Sequence, residues 1–271
     1  MEVLETTAAV DLPDRQVAVC GDWHGDVEWL RTVRHAVQVA APGVRTILQL
    51  GDWGMDTEAC DAMFFDSGID RVYVTLGNHE PWAEITPLLD AHPGQAVRVS
   101  EVTWLLPRPA RLQIAGREIL SLGGAASVDR EWRVPGVSWW PDEAITDEHV
   151  ADAIAGGRAD VMLTHESPAR TPLGTVNQIL RSNPLGFPKS TLIESAASRS
   201  RITRVWDAVH PRHLLHGHMH VAAAGLTHDG RHVTSLAANR QQAHLAILDL
   251  ATLSVDIPTL HHDGSSLGSG H

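Results

Sequence analysis

In the first half of the chain, short runs of aliphatic and β-branched residues alternate with stretches whose apolar positions recur every three or four residues. Val17-Ala18-Val19-Cys20, Thr46-Ile47-Leu48-Gln49-Leu50 and Val72-Tyr73-Val74-Thr75-Leu76 each run into a glycine, at Gly21, Gly51 and Gly77. Unbroken apolar runs of this length predict strands buried on both faces. Between the first two, residues 27–40 place Leu30, Val33 and Val37 at helical spacing, continued by Ala41, and Pro42-Gly43 ends the segment. The order is β-α-β-α-β, with buried strands and crossover helices.

The second half reads differently. Val102 to Leu106, Ala110 to Ile114 and Glu118 to Leu122 predict three consecutive strands, with turns at Pro107-Arg108-Pro109 and Ala115-Gly116, which favours a meander over another crossover. Gly123 to Trp140 has no periodicity and is long for a connector, the usual mark of a functional loop. Asp142 to Ile154 and Ser190 to Val209 have helical patterns. Val161 to Thr164, His213 to Leu215, His232 to Leu236 and Leu245 to Leu250 predict further strands. No internal repeat is apparent. The expected organisation is one α/β domain over residues 1–271, with 1–14 and 261–271 peripheral to the core.

Composition narrows the class. Hydrophobic residues make up 43% and charged residues 20%, which excludes disordered, collagenous and coiled-coil proteins. Asp and Glu number 33 against 21 Lys and Arg, a formal net charge of -12, which disfavours a protein that coats duplex nucleic acid. Any anionic substrate then needs a local positive centre. The acidic start Met1-Glu2-Val3-Leu4-Glu5 is unlike a signal peptide, and runs such as Val161-Met162-Leu163 are too short to span a bilayer. A cytoplasmic protein with no membrane partner is expected. Cys20 and Cys60, the two cysteines, make neither a disulfide framework nor a thiolate zinc site.

The chemistry gathers at the strand ends. The first strand runs into Asp22-Trp23-His24, the second into Asp52 and the third into Asn78-His79-Glu80; later strands run into His165 and into His216-Gly217-His218-Met219-His220. In an open α/β sheet, ligands collect in the crevice beyond the carboxyl ends of the strands. Residues i and i+2 of an extended segment share a face, so Asp22 with His24, and His218 with His220, can converge while Trp23 and Met219 turn away. A carboxylate between two divalent cations can bridge them, and Asp52 lies between the two clusters. Two cations about 3.5–4 Å apart form the clamp used for in-line displacement at phosphorus.

These residues resemble the calcineurin-like metallophosphoesterases, whose pattern of D-x-H, GD, GNH followed by D or E, an isolated H, and GHxH is met in order from Asp22 to His220. The segment Gly123 to Arg130 is similar to that of bacterial and phage members, and the intact set is similar to the cyclic nucleotide phosphodiesterases of the family. The resemblance implies a four-layer α-β-β-α sandwich of two mixed sheets flanked by helices. It implies one metal on Asp22, His24, Asp52 and His220 and a second on Asp52, Asn78, His165 and His218. Mn²⁺ is favoured, with Fe and Zn as alternatives. It also implies that His79 lies beside the leaving group as a proton donor, with Glu80 orienting it. Asn78, Arg130 and Arg133 are the candidate substrate contacts, since an arginine fork suits phosphate.

Since Asp22 and Asp52 are needed as ligands and Cys20 sits before the turn, no serine, cysteine or aspartate in the motifs is free to attack phosphorus, which predicts a metal-bridging hydroxide as nucleophile. The expected function is a phosphodiesterase acting on a small, nucleotide-like phosphate ester. The alternatives are a phosphomonoesterase or protein phosphatase and, with less support, a non-catalytic scaffold, which would be expected to lose ligands. Against a Ser/Thr phosphatase, the chain has Gly51-Asp52-Trp53-Gly54-Met55-Asp56 in place of the GDxVDRG pattern, and Leu76 where an arginine precedes GNH. Trp23, Trp53 and Trp82 flank the motifs and suit either base stacking or packing beneath the site. His216 reads as structural, and His261, His262 and His271 as solvated.

Overall fold

The computed structural model describes residues 1–54 and 56–260. The tail histidines His261, His262 and His271, and the segment 261–271 expected to be peripheral, lie outside the described residues. Two mixed sheets form the centre. The first has the order β1 (Glu5–Thr7), β6 (Ala96–Arg98), β7 (Thr103–Leu105), β5 (Arg71–Val74), β4 (Thr46–Gln49), β3 (Gln16–Cys20), β14 (Leu245–Asp249), β15 (Val255–Asp256). The second runs β12 (Ala223–Leu226), β13 (His232–Ser235), β11 (His213–His216), β10 (Val161–Thr164), β9 (Arg117–Leu122), β8 (Ala110–Ile114), β2 (Val10–Leu12). Among the described residues, six helices accompany them: α1 (Val27–Ala40), α2 (Thr57–Phe64), α3 (Trp82–Ala91), α4 (Asp147–Ala155), α5 (Gly174–Ser182) and α6 (Lys189–Val209).

The period-2 alternation of side chains sorts each strand into two cores. Val17, Val19 and Leu48 of the first sheet meet Leu112, Ile119, Leu163 and Leu215 of the second in a shared inter-sheet core. Ala18, Cys20 and Ile47 face the other way, onto Leu30, Val33 and Val37 of α1 and Phe64 of α2. On the far side, Leu120, Met162 and Leu214 pack against Val150 of α4 and Ile202 and Trp206 of α6. The result is helix, sheet, sheet, helix, the expected four layers. Strands covered on both faces explain the unbroken apolar runs. Burial of each large side chain stabilises by about 1.5–3 kcal/mol.

Within the first sheet, β3, β4, β5 and β7 are parallel neighbours; within the second, β9, β10, β11 and β13 are. The helix after β3 forms as its periodicity indicates, with the Asp26 carboxylate capping Trp29 N. The loops beyond the carboxyl ends of both parallel sets meet at one end of the sandwich, as the bond from His165 Nδ1 to the Leu50 carbonyl at 2.7 Å shows.

Three expectations are corrected. The proposed meander is broken at Pro107-Arg108-Pro109: β7 stays in the first sheet, parallel to β5, whereas β8 and β9 form an antiparallel hairpin in the second. Proline has no N–H to continue a ladder, so the chain changes sheets there. Residues 1–14 are not peripheral, because β1 pairs with β6 and β2 with β8, and Val10 and Leu12 join the inter-sheet core. Finally, α4 starts at Asp147 rather than Asp142, after a 3₁₀ turn at Pro141–Glu143, because Thr146 caps it.

Candidate metal centre

Each donor follows the end of a parallel strand, and four of them sit on backbone that is not extended. His24, Asp52, His218 and His220 have φ of 47°, 50°, 63° and 52°, the left-handed region that non-glycine residues seldom occupy. The pairing of Asp22 with His24 and of His218 with His220 therefore does not arise from strand alternation, as the spacing suggested; tight turns bring these side chains inward. Two glycines make room. A Cβ on Gly77 would lie 2.3 Å from Asp52 Oδ1, and one on Gly217 would lie 2.2 Å from Asp22 Oδ1. Trp23, Trp53 and Trp82 are at most 1% exposed and pack in the outer core beneath the site, which leaves them no face for a base.

The donors form two groups. Asp22, His24, Asp52 and His220 offer atoms that all lie within 4.8 Å of one another, as do Asp52, His165 and His218. Asp52 belongs to both. His220 Nε2 lies 3.0 Å from Asp22 Oδ2, and His24 Nδ1 lies 4.0 Å from Asp52 Oδ2. His165 Nε2 lies 3.4 Å from Asp52 Oδ1 and 3.0 Å from Asn78 Oδ1, which places Asn78 at the edge of the second group.

The electrostatics suit cations. Burial alone would raise the Asp52 carboxyl, but the charge and hydrogen bond of His165, with the charges of His24 and His218, together outweigh it and hold the group at about 2. Burial would likewise lower His165, but Asp52 holds it up at about 10, while burial takes the neighbouring His218 down to about 3. Buried carboxylates and imidazoles thus hold one another charged at the site, and a bound cation would compete with protons for the imidazole ligands. Asp52 Oδ2 is buried and, among the described residues, accepts no hydrogen bond. A buried carboxylate oxygen without a donor is costly, and coordination to a cation removes that cost.

Beside the donors, the His79 ring lies 5.6 Å from that of His24, centroid to centroid, and the His79 N–H donates to Asp52 Oδ1 at 2.7 Å. Glu80 does not orient that ring. Its carboxylate accepts from the backbone N–H groups of Trp53, Gly54 and Gly77 at 3.0, 3.3 and 3.0 Å, so it clamps the loops after β4 and β5 together. The group against the His79 ring is Arg133, whose Nη2 touches it and whose Nε pairs with Asp129 at 3.0 Å. Arg130 is drawn away, into an ion pair with Glu194 of α6. His216 is buried with Nδ1 on the Gly217 carbonyl, and burial lowers it to about 4, consistent with a structural role.

Two residues of the site carry no motif. Ser127 hydrogen-bonds Asn78 Nδ2 at 3.0 Å, and Glu143, pushed up to about 7 by burial, accepts from the Ser127 N–H at 2.7 Å. The only signal of Ser127 in the sequence is the aperiodic stretch 123–140 that contains it.

Among the described residues, no helix is long and apolar enough to cross a membrane. No curated protein matches the chain by sequence. Among solved structures, TT1561 of Thermus thermophilus superposes with a TM-score of 0.53 at 12% identity, covering 91% of this chain and 99% of that one. A dimetal phosphatase from Danio rerio gives a TM-score of 0.52 at 14% identity, covering 88% and 93%. At these identities the likeness is one of fold. The family model for calcineurin-like phosphoesterases matches residues 15–222, which contain every donor described above. The chain therefore belongs to the calcineurin-like phosphoesterase family, hydrolases that act on phosphoric esters.

Proposed function

We propose that the chain is a dinuclear metal-dependent phosphodiesterase acting on a small, nucleotide-like phosphate ester. The observation that carries this reading is the pair of donor groups joined through Asp52. Asp22, His24, Asp52 and His220 would hold one cation, and Asp52, Asn78, His165 and His218 the other. The donors are imidazole, carboxylate and amide with no thiolate, a set that suits Mn²⁺, Fe or Zn²⁺. When bound, two such ions supply positive charge for the phosphoryl oxygens and lower the pKa of water.

The remaining work belongs to the chain's own residues. His79, beside the donors and beside Arg133, is placed to give a proton to the departing alkoxide. Arg133 supplies a fixed cation next to it, which helps a protein of net charge -12 to accept an anion. Asp22 and Asp52 are buried at the donor groups, and Cys20 is buried in the outer core, so no serine, cysteine or aspartate of the motifs is free to form a covalent phospho-enzyme and water is the attacking group. A diester is favoured because Asp56 and Leu76 stand where the phosphoprotein phosphatases carry phosphate-gripping arginines.

With Mn²⁺ supplied, bis-p-nitrophenyl phosphate should be hydrolysed with a higher kcat/KM than p-nitrophenyl phosphate, and chelation should abolish both activities. Preference for the monoester would overturn the diester assignment, and activity indifferent to chelation would overturn the metal-dependent reading.

A further inference from the structure

The Ser127 hydroxyl stands at the crossing of three side chains. It donates to Glu143 Oε2 at 2.8 Å and accepts from Asn78 Nδ2 at 3.0 Å and from Arg133 Nη1 at 3.2 Å. A serine hydroxyl has one proton and two lone pairs, so its capacity is fully used. Glu143, only 2% exposed, accepts at Oε1 from the Ser127 N–H at 2.7 Å and from Trp139 Nε1 at 3.0 Å, and its Oε2 lies 3.9 Å from Arg133 Nη1.

The directions of these bonds follow from the carboxylate. An ionised Glu143 can only accept, so the Ser127 proton must point at it, and the two lone pairs left over call for donors. Asn78 meets that demand by turning its NH₂ toward Ser127. Its Oδ1, the atom able to ligate a cation, is then held on the opposite side, 3.0 Å from His165 Nε2. Arg133 meets the demand with Nη1, which leaves Nη2 against the His79 ring. A carboxylate buried this deeply needs good partners, and here all of them belong to the segment 127–139 that borders the site.

We propose that Glu143 and Ser127 are positioning residues: together they fix which end of the Asn78 amide faces the second donor group and anchor the Arg133 guanidinium beside His79. This rests on the dinuclear reading above. Groups that orient metal ligands in this way typically matter by 10- to 100-fold in metal affinity.

Glu143→Gln is nearly isosteric but introduces a donor. If its oxygen keeps the Ser127 and Trp139 N–H groups, its NH₂ faces the Ser127 hydroxyl and drives that proton toward Asn78 and Arg133, which are already donors. Ser127→Ala removes the crossing point altogether. The test is Mn²⁺ titration by calorimetry and electron paramagnetic resonance at pH 8, on wild type and both variants, with thermal melts alongside. Wild type should bind two ions and show a spin-coupled pair. Both variants should keep the first ion and lose roughly 10- to 100-fold in affinity for the second, with weakened coupling and a kcat that recovers at high Mn²⁺. Folded variants with both affinities unchanged, or with both lowered equally, would overturn the positioning role. A wild type that binds a single ion would overturn the dinuclear reading, and the proposal with it.

Discussion

At the scale of single residues, the site depends on side chains whose backbone is held in an uncommon conformation. Left-handed φ values at His24, Asp52, His218 and His220 persist because the surrounding structure over-determines them, as the Asp22 carboxylate does in accepting the His218 N–H at 3.1 Å. His79 differs in kind: it belongs to neither donor group, and its ring faces Arg133. The His79→Ala variant should therefore retain its metals and lose about 10²- to 10⁴-fold in turnover, the range of a positioned general acid. The loss should shrink on an ester whose nitrophenolate leaves without protonation. Comparing kcat on activated and unactivated diesters, with metal content measured on the same samples, checks this. Equal losses on both would assign His79 to phosphate positioning.

At the scale of one element, α4 shows what local chemistry can add to a helix. Its first turn is closed by a capping box in which Thr146 Oγ1 accepts from the His149 N–H at 3.1 Å and His149 Nδ1 accepts from the Thr146 N–H at 3.2 Å. Only a neutral imidazole can accept that bond. Burial first, and then the charge of Arg108, lower His149 from its ordinary value to about 4. The native state therefore resists a proton that the unfolded chain accepts. This contribution is fully present above about pH 6.5 and is lost as the pH falls toward 4. The His149→Gln variant keeps the box and removes the titration, so stability measured by urea unfolding should fall less between pH 7 and 5 than in wild type. A cap is typically worth about 1 kcal/mol, and solvent screening of the partly exposed ring keeps the effect of that order. The box also explains why periodicity misplaced the start of this helix. A Thr-x-x-His pair stands in for the usual Thr-x-x-Glu, and the cue lies in a side-chain bond rather than in the apolar pattern.

At the scale of the molecule, the donor groups join the two sheets. Asp22, His24, Asp52 and Asn78 follow strands of the first sheet, while His165, His218 and His220 follow strands of the second. Cations bound there would link the sheets in the folded state and have no comparable site in the unfolded chain. At a hundredfold excess over Kd, each site adds about 2.7 kcal/mol, which for a chain of this size is a Tm increase of roughly 5–10 °C. Calorimetric melts in Mn²⁺ and in chelator should differ by at least that much. Coincident melts would mean that the donors do not hold metal in the native state.

The sequence by itself determined the layered α/β architecture, because strands buried on both faces must be continuously apolar and amphipathic helices must repeat every three to four residues. It also located the donors, since short polar motifs directly after apolar strands can face only the crevice at the strand ends. Tertiary structure decided the rest. It placed residues 1–14 at the edges of both sheets and split the expected meander between them, because pairing partners far apart in the chain leave no local pattern. It assigned Glu80 to the loop amides, Arg133 to His79 and Arg130 to Glu194, choices among equivalent charges that only distance can make. It also brought Ser127 and Glu143, sixteen residues apart in the chain, under Asn78. Hydrogen-bond direction depends on which groups share one buried volume, and that is fixed only when the chain has folded.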